Sequence, residues 1–231
     1  MLKKAYIQCL IDGKEQLTYE VINSTIYSET FGSEIRKMSD EEMRLTAYHE
    51  AGHVIAGYYG SNDYKVSKVE VKFRSSSLGL TDADADEDKH TMTREDIKGY
   101  IILCLGGKCA EQIIFNTNTS GVCQDLAQAT MYAESFVKLF GMDEIFGPIC
   151  LSDDVFISET LSTIADIKIQ EMLIQLEKKT TSIILEHKDK LTTIAEALIK
   201  KETLYKEEVM EILEGSGHLP IKRRGPKKQK D

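Results

Sequence analysis

Two histidines and a glutamate, His49, Glu50 and His53, form the pattern HExxH within a stretch whose residues favour a helix. Residues four apart on a helix are turned by about 400°, so both imidazoles can reach one metal ion from the same face. Glu50 follows the first histidine and can accept a proton from a water molecule bound to that ion. Because zinc lowers the pKa of such a water to about 7, the pattern predicts a zinc hydrolase.

The same five letters also occur by chance in helices that bind no metal. Here the neighbouring residues are small or apolar, which is a poor setting for two solvated histidines. These neighbours are Ala47, Ala51, Val54, Ile55 and Ala56. The composition of the helix therefore favours the metal-binding interpretation.

A catalytic zinc site needs a third protein ligand and an open position for water. The remaining histidines, His90, His187 and His218, have no local context that recommends them. Asp125 lies in the first turn of a predicted amphipathic helix, after small residues that leave room for its carboxylate. From spacing alone it is either a ligand or an acid that complements the helix dipole.

The helix that carries the histidines is expected to begin after Ser39, with Glu42 completing a capping box, and to end at Gly60. Thr93 is expected to cap a second helix that reaches Phe115. A third is predicted from Thr119 or Ser120 to Phe140, and further helices over 158–213.

Alternating residues over 66–73 predict a strand, and a second short strand is expected near Leu78, Gly79 and Leu80. Residues 5–30 resemble a small β-hairpin around the turn signal Asp12-Gly13. The fold class that follows is mainly α with a small β-sheet. We expect an N-terminal extension over 1–38, one domain over 39–214 and a disordered basic tail over 215–231.

Five segments in consistent order resemble the FtsH family of membrane-associated AAA metalloproteases. They include TAYHEAGHVIAG around the histidines, GGKCAEQIIF beside the family's GGRxAEEIIF, and TSGVCQDLAQAT beside its TGAxNDLxxAT. The five segments lie at 46–57, 106–115, 119–130, 141–148 and 198–204. The resemblance covers roughly residues 40–214, the family's peptidase domain with its HExxH helix and C-terminal helical bundle.

This resemblance implies a zinc endopeptidase in which His49, His53 and Asp125 bind Zn²⁺ and Glu50 is the general base. It also implies that the strand near Leu78, Gly79 and Leu80 receives an extended substrate by strand addition. Lys108 replaces the usual Arg and Gln124 the usual Asn. Cys123, two residues from Asp125, is either a rival thiolate or a small buried side chain.

The chain of 231 residues has room for one major activity and no GxxxxGK[ST] motif, so we expect no ATPase within it. No apolar run approaches the roughly 20 residues of a membrane span, and we expect no membrane segment. Five cysteines without a CxxC pair indicate free thiols in a cytoplasmic protein.

The formal charge is −9, but residues 1–220 carry 23 basic against 37 acidic side chains, a charge of −14. Six basic residues lie beyond them, in a tail whose glycines and prolines favour solvation over nucleic-acid binding. No nucleic-acid partner is therefore expected.

Two functions are compatible with these features. One is a stand-alone zinc metalloendopeptidase acting on peptides or unfolded proteins. The other is a non-catalytic assembly or binding subunit that acts with a separate AAA ATPase. A homo-oligomer is compatible with both, because ring formation is a trait of the family that the chain resembles.

Overall fold

The computed structural model describes residues 2–11, 16, 22, 25, 38–62, 64–71, 79–83, 91–151 and 157–215. Within these residues the fold is mainly helical with a small antiparallel sheet. The helices are α1 (Leu2–Ile11), α2 (Asp40–Gly60), α3 (Arg94–Phe115), α4 (Cys123–Glu134), α5 (Glu159–Glu186), α6 (Lys188–Lys201) and α7 (Lys206–Glu214). The strands are β1 (Val66–Val71), β2 (Gly79–Ala83) and β3 (Thr203–Tyr205). The predicted fold class is thereby confirmed.

Helix α2 begins where the sequence predicts. The Ser39 hydroxyl accepts a hydrogen bond from the Glu42 backbone, and the Glu42 carboxylate accepts one from the Ser39 backbone at 3.0 Å. This capping box satisfies two backbone donors that the first turn leaves unpaired. Helix α3 starts with the same arrangement between Thr93 and Asp96.

Helices α2 and α3 pack against each other through glycine. A Cβ at Gly106 would lie 2.5 Å from the Gly52 carbonyl oxygen and 2.8 Å from the Ala56 Cβ, and a Cβ at Gly52 would lie 2.7 Å from the Ala110 Cβ. Those distances are too short for non-bonded atoms, so any larger residue would push the helices apart. The expected close approach at Gly106-Gly107 is present.

The sheet has the strand order β2-β1-β3, with both pairs antiparallel. Val69 of β1 pairs with Thr81 of β2 and with Leu204 of β3. Strand β3 was not predicted from the sequence, because three residues are too few to show an alternating pattern. Within the described part of the sheet, β2 forms one edge.

The predicted hairpin over residues 5–30 is wrong for Leu2–Ile11, which form α1. This segment is therefore helical where a strand was predicted, with Cys9 buried and Tyr6, Ile7 and Leu10 exposed. Most of residues 12–37 lie outside the described residues.

The helix predicted from Thr119 or Ser120 to Phe140 is divided into three parts. A 3₁₀ turn covers Ser120–Val122, α4 follows, and a π-helical turn covers Ser135–Leu139. The Phe140 amide donates to the Ser135 carbonyl at 2.9 Å, which widens this last turn by one residue. Gly141 then ends the segment at φ +60°, as its residue type indicates.

None of the helices in the described ranges combines the length and the apolar character that crossing a bilayer requires. The basic tail lies outside the described residues, beyond Gly215.

Lys190 connects three helices. Its ammonium donates to the Tyr59 hydroxyl at 2.7 Å and to the Leu213 carbonyl at the end of α7. The Tyr59 ring stacks on His187, with centroids 3.5 Å apart. These contacts fix the end of α2 against α6 and α7.

We expect Lys190→Met to lower the free energy of unfolding by about 1.5–3 kcal/mol, because the two hydrogen bonds that the Lys190 ammonium donates are lost. Urea denaturation measures the change. Lys200→Met, an exposed site on the same helix, is the matched control and should stay within about 0.5 kcal/mol of the parent protein. Equal effects of the two substitutions would contradict the assignment.

Candidate metal centre

The structure brings together His49, His53 and Asp125, which the sequence places up to 76 residues apart. The two Nε2 atoms are 3.0 Å apart, and the Asp125 Oδ2 lies 3.1 Å from His49 Nε2 and 3.4 Å from His53 Nε2. Helix α2 supplies both histidines from one face, and the first turn of α4 supplies the carboxylate. These three are the group of potential metal ligands in the described part of the chain.

These separations fit a tetrahedral zinc ion. Ligand bonds of about 2.0–2.1 Å at tetrahedral angles place neighbouring ligand atoms about 3.3 Å apart. The three measured separations lie between 3.0 and 3.4 Å. An ion could therefore be bound with only small side-chain shifts.

Each histidine presents Nε2 because its Nδ1 already has a partner. His53 Nδ1 donates to the Leu103 carbonyl at 2.8 Å. His49 Nδ1 contacts the Glu111 carboxylate at 2.7 Å. Partners of this kind fix the ring orientation of metal-binding histidines and leave the second nitrogen for the ion.

Glu111 also belongs to this group of side chains, although its place there was not predicted from the sequence. Its carboxylate contacts His49 and also accepts hydrogen bonds from Thr119, at 2.6 Å from the backbone amide and 3.2 Å from the hydroxyl. Glu111 is almost fully buried. Its position four residues after Gly107 places it on the same face of α3. That spacing points to the histidines only once it is known which face of α3 meets α2.

Gly107 provides the space that the His49 ring occupies. A Cβ at this position would lie 2.5 Å from His49 Nε2 and 2.7 Å from Nδ1. A glycine at this position therefore leaves the space in which the His49 ring lies.

The carboxylates around the histidines attract positive charge. Burial lowers the pKa of His49, but hydrogen bonds to Asp125 and Glu111 outweigh burial and raise the pKa to about 10. Burial raises the pKa of Asp125, but the two histidines hold it well below its usual value. A histidine binds a metal ion in its neutral form, so protons compete with the ion for His49. Metal affinity should therefore fall as the pH falls.

Glu50 is buried beside this group, at 5% exposure. Its negative charge acts on His49 and contributes to the raised pKa of that imidazole. Its role as a proton acceptor stays a prediction.

Cys123 does not join the three potential ligands. Its side chain is exposed, so the expectation of a buried side chain is wrong. Residues two apart on a helix are turned by about 200° and do not face each other, which separates Cys123 from the Asp125 side of α4.

Of the three residues predicted to bind substrate, Gly79 and Leu80 lie within the part of the chain that the structure describes. Gly79 and Leu80 belong to the edge strand β2, where they pair with Val71 and Glu70 of β1. Leu78 lies outside the described residues. Helix α2, which carries the histidines, packs against β2.

Comparison with known proteins identifies a family. The model of peptidase family M41 matches residues 36–212. The protein named ATP-dependent zinc metalloprotease FtsH 1 from Conexibacter woesei is 32% identical over 230 residues, covering 93% of this chain and 35% of its own length. ATP-dependent zinc metalloprotease FtsH from Borreliella burgdorferi is 35% identical over 189 residues, covering 76% of this chain and 30% of its own.

A third relative, ATP-dependent zinc metalloprotease FtsH 4 from Sphaerobacter thermophilus, is 32% identical over 189 residues. It is matched over 76% of this chain and 29% of its own length. The chain thus spans about a third of the length of these curated relatives.

We expect Gly107→Ala to weaken zinc binding by about tenfold or more, because the added methyl group displaces the His49 ring from its position. Competition with a chromophoric chelator measures the affinity. Gln112→Ala, an exposed position on the same helix, is the control. Parent-like affinity in Gly107→Ala would show that the ring has room to move.

Glu111→Gln is expected to lower zinc affinity by about 10- to 100-fold, the usual effect of losing a carboxylate that orients a metal-binding histidine. The same chelator competition applies, and circular dichroism checks that the helices persist. Gln112→Ala, next to it on the outer side of α3, should bind zinc like the parent protein. A Glu111→Gln protein with unchanged affinity would contradict the orienting role.

Thiol reactivity should separate the cysteines. Burial, followed by the charge of Asp125, raises the pKa of Cys104 to about 12, and Cys109 is also buried, whereas Cys123 and Cys150 are exposed. We expect iodoacetamide at pH 8 to modify Cys123 and Cys150 first. Mass-spectrometric peptide mapping measures the order, and rapid modification of Cys104 in the folded protein would contradict the buried position.

Proposed function

The chain belongs to peptidase family M41, and on this premise we propose that it is a zinc-dependent metalloendopeptidase. The observation that carries the proposal is the spacing of His49 Nε2, His53 Nε2 and Asp125 Oδ2, which matches one face of a zinc tetrahedron. The domain that performs the reaction is proposed to be residues 39–214, and the family match over 36–212 supports these boundaries.

The proposed roles follow from position. His49, His53 and Asp125 hold Zn²⁺, which when bound polarises the scissile carbonyl and lowers the pKa of the attacking water. Glu50 accepts the proton of that water and delivers it to the leaving amine as the peptide bond breaks. Glu111 and the Leu103 carbonyl keep the two imidazoles oriented throughout.

The substrate is proposed to be a peptide or an unfolded protein that binds as an additional strand. Support comes from the backbone of Gly79 and Leu80, which lies at an edge of the described sheet beside α2. An edge strand pairs with any extended main chain, so recognition would depend little on sequence. Leu78 is included in this proposal on the sequence alone.

A second candidate is a peptidase subunit that acts with a separate ATPase, or an assembly protein without activity of its own. The relatives are named ATP-dependent, and the chain matches only about a third of their length. A homo-oligomer is part of both candidates. Free cysteines throughout the chain support a reducing compartment such as the cytoplasm.

The test is hydrolysis of unfolded casein by the zinc-loaded protein without ATP. Glu50→Gln should lower the rate by about 10²- to 10⁴-fold, the usual contribution of a general base, while retaining zinc. Glu41→Gln, an exposed glutamate in the first turn of the same helix, should hydrolyse casein like the parent protein. Fluorescence release from labelled casein and metal analysis provide the two measurements.

Either of two outcomes would overturn the peptidase proposal: a parent protein that takes up no zinc, or a Glu50→Gln variant with unchanged hydrolysis. A zinc-loaded but inactive parent protein that co-purifies with a stoichiometric ATPase would favour the second candidate.

A further inference from the structure

The helices that supply the metal centre also carry a pair of tyrosines that the proposed reaction does not use. Tyr100 of α3 and Tyr132 of α4 are in ring contact, with centroids 4.4 Å apart and ring planes at 45°. Both side chains are partly exposed. Neither tyrosine belongs to a motif identified in the sequence.

Helical phase places this pair on the faces that meet at the metal centre. Tyr100 precedes Gly107 by seven residues, and Tyr132 follows Asp125 by seven. Seven residues make nearly two turns, so each tyrosine lies within about 20° of the same face and about 10 Å along the axis. The two tyrosines therefore lie along the same α3/α4 interface as Gly107 and Asp125.

Small side chains lie between the rings and the metal centre. Cys104 is one turn from Tyr100 on α3, and Ala129 is one turn from Tyr132 on α4, and both are buried. The two rings extend beyond these small residues and reach solvent.

The electrostatic properties of Tyr100 agree with this placement. Burial raises the pKa of Tyr100 to about 12, and the negative charge of Asp125 acts in the same direction. The phenol therefore stays uncharged over the working range of pH. The two partly exposed rings offer apolar surface together with polar hydroxyl groups.

We propose that Tyr100 and Tyr132 form a subsite that binds an aromatic side chain of the substrate beside the metal centre. This rests on the proposed function, since the subsite needs a scissile bond at that centre. An extended peptide advances about 3.3 Å per residue, so the recognised side chain lies about three residues from the scissile bond. Strand addition at β2 tolerates any sequence, and the tyrosine pair would supply a preference.

The experiment uses two peptide sets in which phenylalanine or alanine occupies each of the four positions on either side of the cleaved bond. Binding is measured by fluorescence anisotropy on the zinc-loaded Glu50→Gln protein, which does not turn the peptides over. The parent protein provides kcat/KM for the same peptides. We expect one position, two to four residues from the bond, at which phenylalanine binds about tenfold more tightly than alanine.

The variants Tyr100→Gln and Tyr132→Gln, made in the Glu50→Gln background, should each reduce that advantage to about twofold or less. Glutamine retains helix propensity and removes the ring. The affinity for the alanine peptides, the zinc content and the unfolding midpoint should stay near those of the parent. Met131→Ala is the control, because Met131 neighbours Tyr132 on α4 and its side chain is half exposed.

Equal loss of affinity for phenylalanine and alanine peptides would overturn the proposal and leave the tyrosines as helix packing only. So would a phenylalanine advantage that persists in both variants. If the variants unfold, nuclear Overhauser contacts between peptide and tyrosine ring protons test the unsubstituted rings, and their absence contradicts the subsite. Failure of the proposed function is recognised separately, by a parent protein that binds no zinc and cleaves no peptide.

Discussion

The close contact between α2 and α3 is the constraint on which the metal centre depends. Gly52 and Gly106 have no side chains at the crossing, so the two backbones approach within a distance that any Cβ would prevent. That approach brings the Leu103 carbonyl to His53 and the Glu111 carboxylate to His49. A metal-binding helix with the correct histidines would still lack fixed imidazoles if this crossing were wider. A metal centre at this position therefore requires both the HExxH motif and the close packing of α2 against α3.

Contacts at the C-terminal end of α2 help to fix this crossing. Beyond the histidines the helix reaches Tyr59, whose ring stacks on His187 and whose hydroxyl accepts a hydrogen bond from the Lys190 ammonium. The C-terminal end of α2 is thus held against α6 and α7, and the helix also packs against α5. A change in the angle of α2 that would misplace the histidines is therefore opposed by contacts outside the site.

Much of this arrangement was predictable from the sequence, for identifiable physical reasons. The first residues of α2 and α3 could be predicted from Ser39 and Thr93, because N-terminal capping is a local interaction between residues three apart. Strand β3 and the role of Glu111 did not follow, because each depends on contacts between segments distant along the chain. Helix α1 did not follow either, because Tyr6, Ile7 and Leu10 are residue types common in strands, and such propensities depend strongly on tertiary context.

Hydrogen bonding and helix packing fix the three side chains in a geometry that suits a metal ion. The Leu103 carbonyl and the Glu111 carboxylate hold the two imidazoles at Nδ1, and the Nε2 and Oδ2 atoms lie at separations close to those of a zinc tetrahedron. The helices that carry these side chains also pack on a continuous apolar core, unlike small domains that fold only around their metal. The contacts of the core and of the two Nδ1 atoms therefore contribute to the order of α2 and α4 besides any bond to an ion. Charges held in fixed positions need little reorganisation when charge develops on a substrate, which is the condition under which they contribute most to catalysis.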